Sequence, residues 1–159
     1  MFERFTKDAH LVVTSAMEEA QNRSDARVGN EHLLLGVAGS DAAPAGLDLA
    51  ELRLELDRLD SEALEAVGID PGLVDVETSR SQGRTGKKHI PFTRAAKDTL
   101  TAALKEAIAL DHRHIGVEHI ALALTRLPSS DRAARALAGR GVDPADLRRS
   151  LLEAMRKAS

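Results

Sequence analysis

Two copies of a Glu-His pair are the residues of this sequence best placed to do chemistry. Residues 28–35 read VGNEHLLL and residues 115–122 read IGVEHIAL, so the two pairs lie 87 positions apart in matching surroundings. In each copy a glycine stands two positions before the glutamate, and an apolar run follows the histidine. This pattern predicts a sharp turn that places the glutamate in the first turn of a buried helix.

The two glutamates, Glu31 and Glu118, have two interpretations. In the structural one, each carboxylate stabilises its own helix through the helix dipole, by about 0.3–1 kcal/mol. In the binding one, a carboxylate held at a helix start beside a threonine hydroxyl accepts two hydrogen bonds from a guanidinium group, while amides and hydroxyls bind an anion. The repetition alone favours neither interpretation.

The paired histidines, His32 and His119, are predicted to be buried and hydrogen-bonded. A metal site needs three or four converging ligands, and the sequence contains no cysteine, so we predict no metal and no cofactor. Residues 84–88 (RTGKK) lack the first glycine and the final Ser or Thr of a phosphate-binding loop, and no serine has a Gly-x-Ser-x-Gly context. The sequence therefore predicts a protein without enzymatic activity.

Composition restricts the class of protein further. The chain has 159 residues, a formal net charge of −3 and 30% charged residues, which suits one domain and gives no overall basic field for nucleic acid. The basic residues 80–88 are interpreted as a linker. No apolar run reaches the roughly 18 residues of a membrane span, and residues 1–6 do not resemble a secretory signal. We expect a cytoplasmic protein that does not bind membranes.

The Glu-His pairs belong to a longer internal repeat, which determines the expected architecture. Matches at an offset of 87 begin at residues 5–6 and 92–93, whereas Gly68 and Gly141 match at an offset of 73, so the first copy contains 14 additional residues. We predict an all-α fold of two four-helix repeats related by a pseudo-twofold axis, with an extra helical insertion in the first repeat. In a single domain covering the whole chain, the first repeat, the linker and the second repeat are expected over about 1–78, 79–91 and 92–159.

Apolar spacing and cap residues predict the individual helices. Thr6 and Asn30 are predicted to cap the first two helices. The insertion is predicted to hold a helical piece of its own before a new helix begins at Asp60 or Ser61. The expected helices are about 7–22, 31–38, 47–59, 60–67 and one from 70 in the first repeat, and about 93–110, 117–126, 130–138 and 143–157 in the second.

Residues 1–6 (MFERFT), residues 89–93 (HIPFT) and the two Gly-x-Glu-His turns together resemble the Clp N-terminal domain. This is the double-repeat helical module at the front of ClpA-type and ClpC-type unfoldases. The resemblance covers both repeats and points most closely to actinobacterial ClpC, although the family's usual threonine before the glutamate is replaced by Asn30 and Val117. It implies a non-catalytic module of the Clp proteolysis system that binds substrates, adaptors or Clp-directed cyclic-peptide antibiotics.

The resemblance also implies which residues bind. In ClpC-like domains, proteins tagged with phosphoarginine are received at the glutamate of each turn and at the threonine that opens each repeat. This implies Glu31 with Thr6, and Glu118 with Thr93. Lys97 matches a lysine on the phosphate side of the second site, so binding is expected to depend more on Glu118 than on Glu31.

An apolar surface is implied as well. Phe2 and Phe92 match the surface by which such domains hold cyclic-peptide antibiotics. From the residues alone, Phe92 is the repeat equivalent of Phe5 and suits a core position, whereas Phe2 has no aromatic counterpart and suits an exposed anchor.

The leading expectation is a stand-alone Clp N-domain protein that acts as an adaptor, a decoy or a sequestering module. Two alternatives stay open. One is the N-terminal domain excised from a full ClpC-type ATP-dependent unfoldase. The other is a small helical regulator that binds DNA through residues 80–88, although nucleic acid is the less expected partner for a chain with this charge balance.

Overall fold

Seven α-helices make up the described part of this computed structural model, which covers residues 4–70, 72 and 90–158. Numbered in chain order, the helices are α1 Lys7–Asn22, α2 Asn30–Ala38, α3 Leu49–Ala66, α4 Arg94–Ala109, α5 Val117–Leu124, α6 Arg132–Gly139 and α7 Pro144–Ala158. In these ranges the only β pairing consists of two isolated bridges. The prediction of an all-α fold is confirmed.

The two repeats share the same local structure through their first two helices. Thr6 and Thr93 cap α1 and α4, and each hydroxyl accepts a hydrogen bond from the backbone N–H three residues further on, at 3.1 and 3.0 Å. After each helix the backbone passes through a left-handed residue, Ser24 (φ 59°) and Asp111 (φ 58°). Both pairs of residues are related by the offset of 87, so the predicted repeat is confirmed in three dimensions.

The two isolated β-bridges join the repeats crosswise. Phe5 pairs with Ile115, and Val28 pairs with Phe92. Phe92 is the repeat equivalent of Phe5, and Ile115 is that of Val28, so the bridges are one contact made twice about a pseudo-twofold axis. The start of α1 therefore lies beside the turn that opens α5, and the start of α4 lies beside the turn that opens α2.

Helices α2 and α5 form the centre of the core. Helix α2 packs against α1, α3, α4, α5 and α6, and α5 also packs against α1, α4 and α7. In both helices the glutamate of the Glu-His pair is the one residue that is not buried. Burial of apolar surface against so many neighbours stabilises the position of these two helices. The backbone positions of Glu31 and Glu118 are fixed with them.

The insertion in the first repeat lengthens α3 instead of forming a helix of its own. Asp48 caps α3, and the helix continues without a break through the position where a new start was predicted. The prediction of a helix start at Asp60 or Ser61 is therefore wrong. The carboxylate of Asp60 accepts hydrogen bonds from Arg23, at 3.0 Å, and from Arg132 instead of capping backbone N–H groups.

Three predictions concern residues outside the described ranges. They are the fourth helix of the first repeat, the linker as far as residue 89, and the exposed anchor Phe2. Among the residues that are described, no helix is both long and apolar enough to cross a membrane.

Candidate functional site

Each Glu-His turn is closed by its own histidine. The N–H of Gly29 donates to Nδ1 of His32, and the N–H of Gly116 donates to Nδ1 of His119, both at 2.8 Å. The glycines are the N-caps of α2 and α5, and the histidine makes the return hydrogen bond that a glutamate usually makes in a capping box. The histidines are 0% and 2% exposed, so the prediction of buried, hydrogen-bonded histidines is confirmed.

Asn30 is not the cap that the sequence predicted. It is the first residue of α2, it is 2% exposed, and its side-chain amide donates to the carboxylate of Asp131 at 3.0 Å. The side-chain oxygen of Asn30, Oδ1, is buried without a hydrogen-bond partner in the described part of the chain. The N-cap is Gly29, and its own N–H is satisfied by the imidazole of His32.

The second nitrogen of each histidine has a different partner in each repeat. Because Nδ1 accepts from a glycine N–H, the ring proton of each neutral histidine is on Nε2. The Nε2–H of His32 donates to Asp25 at 2.7 Å, whereas that of His119 donates to Nδ1 of His112 at 2.8 Å. Asp25 and His112 are repeat equivalents.

Across the described ranges, no group of three or more His, Asp or Glu side chains is arranged to hold a metal ion.

The histidine pair makes the second turn sensitive to acid. Burial lowers the pKa of the His119 imidazole and the neighbouring His112 lowers it further, while the carboxylate of Glu118 opposes both effects. The unfolded chain takes up this proton near pH 6.5, and the folded chain takes it up only at lower pH. This contribution to stability is therefore present above about pH 6.5 and is lost as the pH falls below that value.

We expect the His112→Asp variant, which copies the first repeat, to lose less stability on acidification than the wild-type protein. An aspartate carboxylate favours the charged form of His119 and so reduces the difference in proton uptake between the folded and unfolded states. Guanidinium denaturation at about pH 7.5 and about pH 5 measures the loss. The uncharged control is His112→Asn. Equal acid losses in the wild type and both variants would contradict the explanation.

The glutamate carboxylates fold back over the glycines of their own turns. A β-carbon added to Gly29 would lie 2.6 Å from Oε1 of Glu31, and one added to Gly116 would lie 2.5 Å from Oε1 of Glu118. Both glycines have φ near −100°, at −106° and −100°, so the backbone conformation does not require glycine. A larger residue would displace the carboxylate, and the glycine therefore decides where the carboxylate lies.

The two carboxylates differ in exposure and in charged partners. The Glu31 side chain is 15% exposed, and its Oε1 lies 3.9 Å from the guanidinium of Arg132. The Glu118 side chain is 41% exposed, and in the described ranges the one basic side chain within ion-pair distance of it is His119, whose Nδ1 is 3.9 Å away. That nitrogen accepts the N–H of Gly116 and carries no proton. Glu118 therefore has no cationic partner among the residues that the structure describes.

Each cap threonine lies beside the Glu-His turn of the other repeat. The N–H of Thr6 donates to the backbone oxygen of Ile115, and the N–H of Thr93 donates to that of Val28, both at 2.9 Å. Each acceptor stands three residues before the glutamate of the other repeat. Thr6 thus lies beside the second turn and Thr93 beside the first. The pairing of each threonine with the glutamate of its own repeat, as the resemblance implied, is therefore wrong.

The length of α1 separates the residues of one repeat. The N–H of Asp25 donates to the backbone oxygen of Ala20 at 2.9 Å, near the C-terminal end of α1, and the carboxylate of Asp25 binds His32. Thr6 caps the opposite end of the helix, about 20 Å away at the usual rise per residue. Glu31, next to His32, is therefore too far from Thr6 to share one small ligand group.

Lys97 lies at the same helix start as Thr93, and therefore beside the first turn. It is exposed in the first turn of α4, where its N–H donates to the backbone oxygen of Thr93 at 3.0 Å. It therefore lies on the side of Glu31 and not of Glu118, contrary to the sequence-based expectation. The equivalent position at the start of α1, on the side of Glu118, is held by His10.

Phe92 is half-buried and packs against the core, while its equivalent Phe5 is 5% exposed. Both residues form the bridges that join the repeats. Phe92 therefore has a structural role, and only part of its ring is open to a ligand.

Glu118 also lines a groove that the sequence did not predict. The groove has a volume of about 510 Å³ and is bounded by residues 42–45 of the insertion loop, by His112 and by the last two turns of α7. The insertion loop and α7 are far apart in the sequence. No motif or periodicity connects them, so only the fold reveals that they line one groove together with the Glu118 carboxylate.

Comparisons with known proteins agree with this architecture. A sequence model of the Clp repeat (R) N-terminal domain matches residues 91–159. The crystal structure of the N-terminal domain of ClpD from Arabidopsis thaliana aligns with a TM-score of 0.77 at 24% identity, over 98% of this chain and 97% of that one. The chain therefore has the fold of that N-terminal domain, and its second repeat matches the Clp repeat model.

Curated relatives extend the sequence similarity through both repeats. The chloroplastic ClpA homolog of Brassica napus, an ATP-binding subunit of ATP-dependent Clp protease, is 36% identical over 152 residues, which is 96% of this chain and 16% of that protein. The chloroplastic chaperone protein ClpC1 of Arabidopsis thaliana is 36% identical over 96% of this chain and 15% of its own length. The chain thus spans about one sixth of the length of these relatives. Both come from plants, so they do not support the expected closeness to actinobacterial ClpC.

Proposed function

We propose that this Clp N-terminal domain is a non-catalytic module that binds protein substrates or adaptors for a Clp unfoldase. The observation that carries the proposal is the carboxylate of Glu118, which is 41% exposed at the start of an otherwise buried helix. No cationic side chain among the described residues is paired with it. A carboxylate fixed in this way can accept two hydrogen bonds from a guanidinium group of a ligand.

Phosphoarginine has the chemistry that both turns would recognise. Its guanidinium part suits a glutamate, and its phosphate suits a threonine hydroxyl and the free amides of a helix start. The sites that we propose are composite, one with Glu31, Thr93 and Lys97, and one with Glu118 and Thr6, and the backbone hydrogen bonds of the two threonines support this pairing. Each cap threonine accepts a hydrogen bond from its own helix and keeps its O–H proton for a ligand.

The relatives support one of the alternative roles. Both matched proteins are much longer than this chain, and one is described as an ATP-binding subunit of Clp protease. This favours a recognition domain that serves a longer ATP-dependent unfoldase over a separate adaptor, decoy or sequestering protein. Binding of cyclic-peptide antibiotics at Phe2 and Phe92 stays a prediction. The cytoplasmic location also stays a prediction, because both relatives are named as chloroplastic.

Calorimetric titration with free phosphoarginine tests the proposal. We expect saturable binding to the wild-type chain, much weaker binding of unmodified arginine, and no binding to a variant that combines Glu31→Ala with Glu118→Ala. The matched control is Glu65→Ala, which removes an exposed glutamate of α3. Absence of saturable phosphoarginine binding to the wild-type chain would overturn the proposed ligand.

A further inference from the structure

The groove beside Glu118 has small and apolar walls. One wall is the insertion loop, residues 42–45 (AAPA), and the other consists of Leu151, Ala154, Met155 and Ala158 on α7. None of these side chains can donate a hydrogen bond or carry a charge. The walls therefore favour apolar ligand groups, and burial of such groups is the contribution that the walls can make to binding.

A second groove continues from the first along α7. It has a volume of about 580 Å³, shares His112 and Met155 with the Glu118 groove, and reaches Leu110 and Leu152. Its other lining residues are the charged Arg149, Glu153 and Arg156. The two grooves together form an extended surface rather than a pocket for a single amino acid. A chain of several residues could follow it with one side chain at Glu118.

Charge complementarity indicates what that side chain is. Glu118 is the one acidic residue of its groove, and no cationic side chain in the described ranges pairs with it. A ligand cation would therefore gain a charge-assisted hydrogen bond without displacing a partner. The first turn differs, because Glu31 is only 15% exposed and already lies 3.9 Å from Arg132.

We propose that the Glu118 groove binds an extended peptide segment in which one arginine or lysine is flanked by apolar residues, and that the insertion loop and α7 select those flanking residues. The proposal rests on the proposed function, since it specifies the class of substrate at one of the two turns. It differs from phosphoarginine recognition in that the walls, and not a phosphate, provide the selectivity.

Fluorescence anisotropy with two labelled, end-capped peptides of equal charge tests this. We expect Ala-Leu-Arg-Leu-Ala to bind the wild-type chain at least about tenfold more tightly than Gln-Ser-Arg-Ser-Gln, because only the first buries apolar side chains on the walls. Glu118→Gln should remove binding of the apolar peptide, and Glu65→Gln on an exposed face of α3 should leave it unchanged. Ala154→Gln, which places an amide on the exposed wall, should remove most of the preference, whereas Ala63→Gln on an exposed face of α3 should not.

The outcomes separate this proposal from the proposed function. Equal affinity for the two peptides, an unchanged preference in Ala154→Gln, or unchanged binding in Glu118→Gln would overturn the peptide proposal. Titration of the same proteins with phosphoarginine tests the proposed function independently. If phosphoarginine binds and neither peptide does, the groove proposal fails and the proposed function stands. If neither class of ligand binds, both fail.

Discussion

Replacing Gly36 with valine is expected to lower the free energy of unfolding by about 3 kcal/mol. A β-carbon at this position would lie 2.5 Å from the backbone oxygen of Val12, in the middle of α1. That oxygen belongs to a helical backbone, so no side-chain rotation relieves the clash, and α1 and α2 would have to move apart. Because α2 packs against five other helices, the displacement would disturb most of the core.

The second repeat supplies the matched control for this prediction. Ala123 is the repeat equivalent of Gly36 and is 2% exposed, so the α4–α5 pair already accommodates a β-carbon there. Ala123→Gly should therefore cost only about 1 kcal/mol, the difference in helix propensity. Guanidinium denaturation of both variants measures the two losses. A Gly36→Val protein as stable as the wild type would show that α1 and α2 do not need this close approach.

Helix positions could be predicted because their signals are local. The caps Thr6 and Thr93 and the 3–4 spacing of apolar residues predicted α1 and α4 to within a residue or two. The two local errors have a common cause. Asn30 and Asp60 are residue types that often cap helices, but both direct their side chains to partners on other elements, Asp131 and Arg132 among them. Such tertiary hydrogen bonds override a cap preference, and no local sequence pattern predicts them.

The crosswise contact could not be predicted from the repeat. An offset of 87 establishes that Thr6 and Thr93 are equivalent, but it does not say which turn each of them faces. Both arrangements are compatible with the same apolar pattern. The backbone hydrogen bonds from Thr6 to Ile115 and from Thr93 to Val28 decide the question, and they depend on how the two repeats dock.

The Glu118 groove was beyond prediction for a similar reason. Residues 42–45 were correctly expected to be a loop, yet their role as a wall depends on α7, at the far end of the chain. Small apolar residues in a loop carry no signal of their own. Only the docking of the repeats turns them into part of a binding surface.

The crosswise arrangement predicts that Lys97 serves the Glu31 site. In a Glu118→Ala background only that site remains, and adding Lys97→Ala should weaken phosphoarginine binding about ten- to a hundredfold. This is the effect of losing one charge-assisted hydrogen bond, roughly 1.5–3 kcal/mol. In a Glu31→Ala background, the same change should leave the affinity within about twofold, because the remaining site lies beside the start of α1.

A control with the opposite expectation is available at the equivalent residue. His10→Ala should act only where Glu118 is intact, since His10 stands at the start of α1. Lys97 is exposed and its side chain has no part in the cap of α4, so its removal tests ligand binding and not folding. Circular dichroism of each variant confirms that the helical fold is retained.

Titration of phosphoarginine into the two Lys97→Ala double variants is the most direct test of the crosswise site. The structure predicts a loss of affinity when Glu31 is the remaining glutamate, and no loss when Glu118 is. A loss confined to the protein that retains Glu118, or no loss in either protein, would contradict it.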